Sequence, residues 1–223
     1  MPHKQFPTTY VYWEKLKKHD ELKKKYMPII DKIEQTHPTK TKQNPYSQFD
    51  CSIKNISILH PELNTFLENE DINTIIWNPI NNFIKDINSH YQYKIDVKKS
   101  FIDHYWCNTY DENDDQELHD HYDHVKYIDH IEYNPTFSGI YIINDDNESS
   151  SIVFRSPLHQ PFYKLKAHHH LDTGTIDDIG EGTVLIFPSQ LSHMVRQCKK
   201  PGRRTIAFNI FSSLPCLINH DRM

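Results

Sequence analysis

The sequence predicts a mainly β fold, an antiparallel sandwich or closed barrel of the jelly-roll kind, backed by helices from its N-terminal part. Three observations carry this expectation. Beyond residue 93 the chain falls into seven or eight short β-branched and aromatic runs, separated by polar turns with no helical pattern between them. Before residue 93, two segments place apolar residues at helical spacing, and such stripes need a sheet or another helix to cover them. One of the later runs, 117–124, also carries histidines and a carboxylate at strand spacing, with a single further histidine, His193, downstream, which suits a ligand site in the mouth of such a fold.

Size and composition set the outer limits. The 223 residues fit one domain, read as a mostly helical support layer over 1–95, a β core over 96–213 and a tail over 214–223. Hydrophobic residues at 37% and charged residues at 25% describe a globular chain, not a disordered one. The formal net charge of -5 gives no general attraction to nucleic acid or anionic membrane, so neither is an expected partner. Cys51, Cys107, Cys198 and Cys216 form no CxxC pair, which argues against a zinc knuckle or a disulfide scaffold and for reduced thiols. No signal-peptide pattern or membrane-length apolar run occurs, and the expected location is cytoplasmic. Neither GxGxxG nor a P-loop pattern is present, so a nucleotide cradle is not expected.

Taken in order, HDELKKKYMPIIDKIEQ (19–35) sets Leu22, Tyr26, Ile29, Ile30 and Ile33 on one helical face, with Asp20 as a cap and Pro28 as a kink point. Lys23 to Lys25 read as its solvated side. Thr36 to Ser47 reads as a loop and Pro61 to Leu67 as a short helix. A second long helix is expected to start at Asn78, with Pro79 in its first turn and Ile80, Phe83, Ile84, Ile87 and Tyr91 along one face. The strand series then comprises 94–111, 117–124, 137–144, 150–156, 160–168, 184–188 and 204–211, with a long polar loop before Pro135.

The chemistry concentrates in ELHDHYDH, from Glu117 to His124. On a strand its period of two puts His119, His121 and Asp123 on one face. His193 follows much later, ahead of the basic pair Arg203 and Arg204. Two histidines and a carboxylate with open positions make the facial triad of non-haem Fe(II) oxygenases. The expected ligands are therefore His121, Asp123 and His193, with His119 as the alternate to Asp123. Adjacent His168, His169 and His170 would point to opposite faces of a strand and are read as loop or rim.

WCN (106–108), QELHDH (116–121), FSGIYI (137–142), EGTVLIFPSQLSHMV (181–195) and RRTIAFN (203–209) together resemble the Fe(II)- and 2-oxoglutarate-dependent dioxygenases, on their prolyl-4-hydroxylase-like branch and among oxygenases of phages and marine bacteria. The resemblance spans roughly residues 100–212. It implies a double-stranded β-helix, a cupin-like form of jelly roll, with His121 and Asp123 as the first two ligands and His193 as the distal histidine. It implies Arg203 as the partner of the distal 2-oxoglutarate carboxylate, because Arg204 points to the other face of the strand. Tyr110 and Asn108 become cosubstrate contacts. The implied reaction consumes dioxygen and 2-oxoglutarate and hydroxylates an unactivated C–H bond, with prolyl residues of a peptide or protein, or free proline, as the substrates suggested. A metal-free jelly-roll binding or structural module is the competing reading, and the sequence gives no oligomeric state.

Overall fold

The computed structural model describes residues 3–6, 9–36, 54–56, 70–91, 95–121, 126–128, 131–145, 151–155 and 170–212. In chain order the elements are β1 (His3–Phe6), β2 (Thr9–Lys15), α1 (His19–Thr36), β3 (Lys54–Ile56), α2 (Glu70–Tyr91), β4 (Ser100–Tyr110), β5 (Gln116–His119), β6 (Lys126–Ile128) and β7 (Ile131–Tyr133). They continue with β8 (Pro135–Asn144), β9 (Ile152–Arg155), β10 (His170–Asp172), β11 (Thr183–Pro188), β12 (His193–Val195) and β13 (Arg203–Ser212).

A seven-stranded sheet runs β1-β2-β11-β8-β13-β4-β3, a four-stranded sheet runs β10-β9-β12-β5, and β6 with β7 forms a separate hairpin. All pairings among the described residues are antiparallel. From β4 onward the chain deposits β4, β8, β11 and β13 in the large sheet and β5, β9, β10 and β12 in the small one. That winding between two sheets is the double-stranded β-helix expected from the sequence.

Strand alternation sorts the core into two layers. On β8, Phe137, Tyr141 and Ile143 face one way, and Ile140 and Ile142 face the other. The first set, with Val184, Ile186, Ile206, Phe208 and Ile210, packs under the helices. The second, with Leu185, Phe187 and Ala207, meets Ile152, Phe154, Leu171 and Val195 of the small sheet. Each fully buried Phe or Ile contributes about 1.5–3 kcal/mol of apolar burial. The helices supply Leu22, Tyr26, Ile30, Ile33, Ile76, Ile80, Phe83, Ile84 and Ile87 to the first layer.

Several expectations change. Helix α2 begins at Glu70 instead of Asn78 and runs through Pro79. The stripe from Ile76 onward stays on one buried face, and tertiary packing of that face outweighs the one N–H that proline cannot donate. Helix α1 likewise continues through Pro28, and Asp20 sits inside its first turn. Lys24 and Lys25 are exposed as expected, but Lys23 Nζ donates to Glu181 Oε1 at 2.6 Å. The N-terminal layer contributes strands as well as helices. In β2, Val11 and Trp13 enter the inter-sheet core while Tyr10 and Tyr12 face the helices, so both faces are apolar and the in/out alternation is hidden. The polar stretch before Pro135 contains the β6–β7 hairpin. The expected helix at 61–67, the expected strand at 160–168, the loop beyond Thr36 and the tail lie outside the described residues.

Candidate metal centre

Strands β5 and β12 are antiparallel neighbours in the small sheet, and His119 and His193 are direct partners across them. Directly opposed residues project to the same face, and their ring centroids lie 4.3 Å apart. The expected strand over 117–124 stops at His119. Its register also shifts between the pairs His193–His119 and Val195–Gln116, an irregularity of the bulge type that re-aims side chains. His121 lies just past the strand, where its N–H donates to the Ser189 carbonyl at 2.9 Å. That bond brings the His121 ring parallel to His193, 5.3 Å away with 5° between planes, and 5.3 Å from His119. One ligand atom from each of His119, His121 and His193 lies within 4.8 Å of the others, the spacing of groups able to share one ion.

Backbone carbonyls set the tautomers of two of these rings. His119 Nδ1 donates to Glu117 O at 2.8 Å and His193 Nδ1 donates to Leu191 O at 2.9 Å, so Nε2 carries the lone pair in each. His119 Nε2 receives a 3.3 Å contact from the Gln116 amide. Burial, then the neighbouring His119, push the His193 imidazole down to about 3, and burial also lowers His119. Both rings are thus neutral near pH 7, the state a metal requires. Apolar walls complete the site: Trp106 stacks over His121 at 5.5 Å, and Phe187 stands edge-on to His193 at 4.8 Å. The cleft is floored by Ser138, Gly139 and Ala207 and flanked by Asn108 and Gln116.

Arg203 starts β13 on the face that carries Ala207. It is 2% exposed, pairs with Asp145 at 3.2 Å and places Cζ 5.8 Å from the centre of the Tyr110 ring. A second cavity, about 310 Å³, adjoins Arg203 and Asp145. Tyr110 is the cross-strand partner of Arg203, and its hydroxyl donates to Gln116 Oε1 at 3.3 Å. A line of contacts therefore runs from Arg203 through Tyr110 and Gln116 to His119. Arg204 points to the helical face, where Nη2 meets Glu34 Oε2 at 2.5 Å, as alternation along the strand requires.

Of the residues singled out from the sequence, the structure groups His119, His121 and His193, sets Asn108 beside them, and places Arg203 against Tyr110. Asp123, His168 and His169 lie outside the described residues; His170 opens β10 with its side chain exposed. Sequence reasoning missed Gln116, Ser138, Asp145, Ser189 and Asn209. All but Asp145 lie within the motifs that carry the resemblance, at 116–121, 137–142, 181–195 and 203–209, where none of them was given a role.

No protein-family model matches the chain, and no curated protein matches it. Solved structures do. A prolyl hydroxylase from Trichoplax adhaerens, in complex with a hypoxia inducible factor oxygen degradation domain peptide fragment, aligns with TM-score 0.53 and 11% identity over 91% of this chain and 82% of that one. HygX from Streptomyces hygroscopicus with nickel and 2-oxoglutarate bound aligns with TM-score 0.52 and 10% identity over 92% of this chain and 83% of that one. With hygromycin B also bound, HygX aligns with TM-score 0.51 and 11% identity, over 91% and 83%. At such identities the likeness is one of fold.

Proposed function

We propose that this chain is an Fe(II)- and 2-oxoglutarate-dependent dioxygenase that hydroxylates an unactivated C–H bond in a peptide, a protein or a small molecule, with prolyl carbons first among the targets to test. The observation that carries the reading is the convergence of His119, His121 and His193 on two neighbouring strands, in the fold of the structures just compared. When bound, the ferrous ion with 2-oxoglutarate and dioxygen supplies the oxidising chemistry; the keto acid becomes succinate and carbon dioxide, and C–H becomes C–OH.

The chain's own residues hold and orient. His193 offers Nε2 and His121 a ring nitrogen to the cleft, and His119 is the third donor through Nε2, with Asp123 the carboxylate that would otherwise take its place. Three neutral imidazoles leave the metal's charge to be balanced by the dianionic keto acid. Arg203, about 13 Å along the strand from Ala207 at 3.3 Å per residue, anchors the distal carboxylate with its planar fork. Tyr110, Gln116 and Asn108 line the path between. The buried thiols Cys107 and Cys198 agree with a reducing compartment such as the cytoplasm. No helix among the described residues is long and apolar enough to cross a membrane.

Anaerobic titration with Fe(II) and 2-oxoglutarate tests this reading. We expect one ion per chain and the weak visible charge-transfer band of the chelate, with loss of both in His121→Ala and His193→Ala. His119→Ala should also lose metal, whereas Asp123→Ala should keep it. An undiminished band in the His121 and His193 variants refutes the site, and metal lost only from Asp123→Ala reassigns the third ligand.

A further inference from the structure

Gln116 opens β5, three residues before His119. On a regular strand that spacing would send the two side chains to opposite faces. Between the pairs His193–His119 and Val195–Gln116, however, β5 carries two residues, Glu117 and Leu118, where β12 carries only Met194. The extra residue turns Gln116 back onto the face of His119, and both side chains line the histidine cleft. Bulges of this kind gather beside active sites, where they re-aim a side chain.

The Gln116 carboxamide is held at both ends. Its Oε1 accepts from the Tyr110 hydroxyl at 3.3 Å, and its Nε2 lies 3.3 Å from His119 Nε2. His119 Nδ1 is committed to the Glu117 carbonyl at 2.8 Å, so Nε2 carries the one lone pair of the ring and the amide is the donor. That lone pair is also the one His119 would offer to a metal, and it serves one partner at a time. The cleft has about 20 Å³ of free space, enough for an ion or one water and too little for a keto acid, whereas the cavity at Arg203 has about 310 Å³. Gln116 lines the smaller space and, through Tyr110, reaches the arginine that lines the larger one.

We infer that Gln116 is a positioning residue whose amide N–H leaves His119 Nε2 when that nitrogen is given to the metal, and then donates to a carboxylate oxygen of the keto acid. A carboxylate is a stronger acceptor than the imidazole it replaces, and Tyr110 keeps Oε1 throughout. Metal and keto acid thereby bind in that order. The carboxamide acts on the two with opposite sign, because it competes with the first and holds the second. This inference rests on the oxygenase reading of the cleft, with His119 as the third ligand and 2-oxoglutarate as the keto acid.

The test uses calorimetric titration of the full chain, first with Ni(II) against a competing chelator and then with 2-oxoglutarate on the nickel-loaded protein, so that both effects are read without turnover. Gln116 is half-buried, and Gln116→Leu and Gln116→Ala should both fold. In each, nickel should bind about fivefold more tightly, because a neutral hydrogen bond no longer competes for His119. In each, 2-oxoglutarate should bind about tenfold more weakly, because a charge-assisted hydrogen bond is lost. Any other pattern overturns the inference. Weakening of both ligands would make Gln116 a structural group, unchanged nickel affinity would remove the competition at His119, and undiminished 2-oxoglutarate affinity would remove the contact with the keto acid. The parent is read in the same series: failure to bind nickel, or nickel bound without 2-oxoglutarate, defeats the oxygenase reading, while a parent that binds both and variants without the opposed shifts defeat this inference alone.

Discussion

Gly139→Ala probes the contact on which the large sheet depends. Gly139 lies on β8 opposite Phe208 of β13, and a Cβ at this position would approach Cζ, Cε2 and Cε1 of Phe208 closer than 3.0 Å. Phe208 has no exposed surface, and its ring is held against Tyr105 with centroids 5.8 Å apart. The ring cannot rotate away into solvent, so the added methyl acts as overpacking in a close-packed interior. Overpacking costs about 1–3 kcal/mol, and the enclosure of this ring by sheet and helices places the cost at about 2–3 kcal/mol. For a chain of this length each kcal/mol lowers the melting midpoint by about 2–4 °C, so the expected fall is about 4–12 °C. Differential scanning calorimetry and urea unfolding both read this change. Adding Phe208→Leu to Gly139→Ala should recover about 1 kcal/mol beyond the sum of the single effects, since the two side chains compete for one space. An unchanged midpoint in Gly139→Ala, or strictly additive effects in the cycle, would refute the reasoning.

Asp145→Asn should lower the 2-oxoglutarate concentration needed for half-maximal formation of the chelate band by several-fold, because a carboxylate that now pairs with Arg203 no longer competes with the ligand's own; weaker 2-oxoglutarate binding would instead make Asp145 a support of that arginine. For the metal-free protein, acidification should reduce stability. His193 is held at about 3 in the fold against an ordinary value near 6.5, so the unfolded chain binds the extra proton throughout that interval. Stability is therefore fully present above about pH 6.5 and declines as pH falls toward 3, with His119 adding in the same direction. Urea midpoints of chelator-treated protein between pH 7.5 and 4 measure this. In His193→Gln the part of the slope due to His193 should vanish, and an equal slope in parent and variant would contradict the assignment.

The two helical stripes, the β-rich second half and the histidine motif were legible because each depends on local periodicity. Leu22, Tyr26, Ile30 and Ile33 repeat with the helix, and the alternation of Arg203 and Arg204 assigned them to opposite faces before any fold was known. Strand β2 escaped because burial on both faces erases alternation, and β12 because three residues are too few to carry a pattern. The start of α2 was misplaced because Pro79 reads locally as a helix opening, while the packing of Ile76 beneath the sheet is a long-range fact.

The sequence by itself determined which side chains could bind a metal and that the two arginines of β13 take opposite faces, because both follow from residue chemistry and the pitch of a strand. The tertiary structure alone decided that His119 stands with His121 and His193, that Asp145 lies against Arg203, and that Ser138 holds the Asn209 amide. Those pairings join residues far apart in the chain, and they exist only once strand register and the end of β5 are fixed by burial across the two sheets.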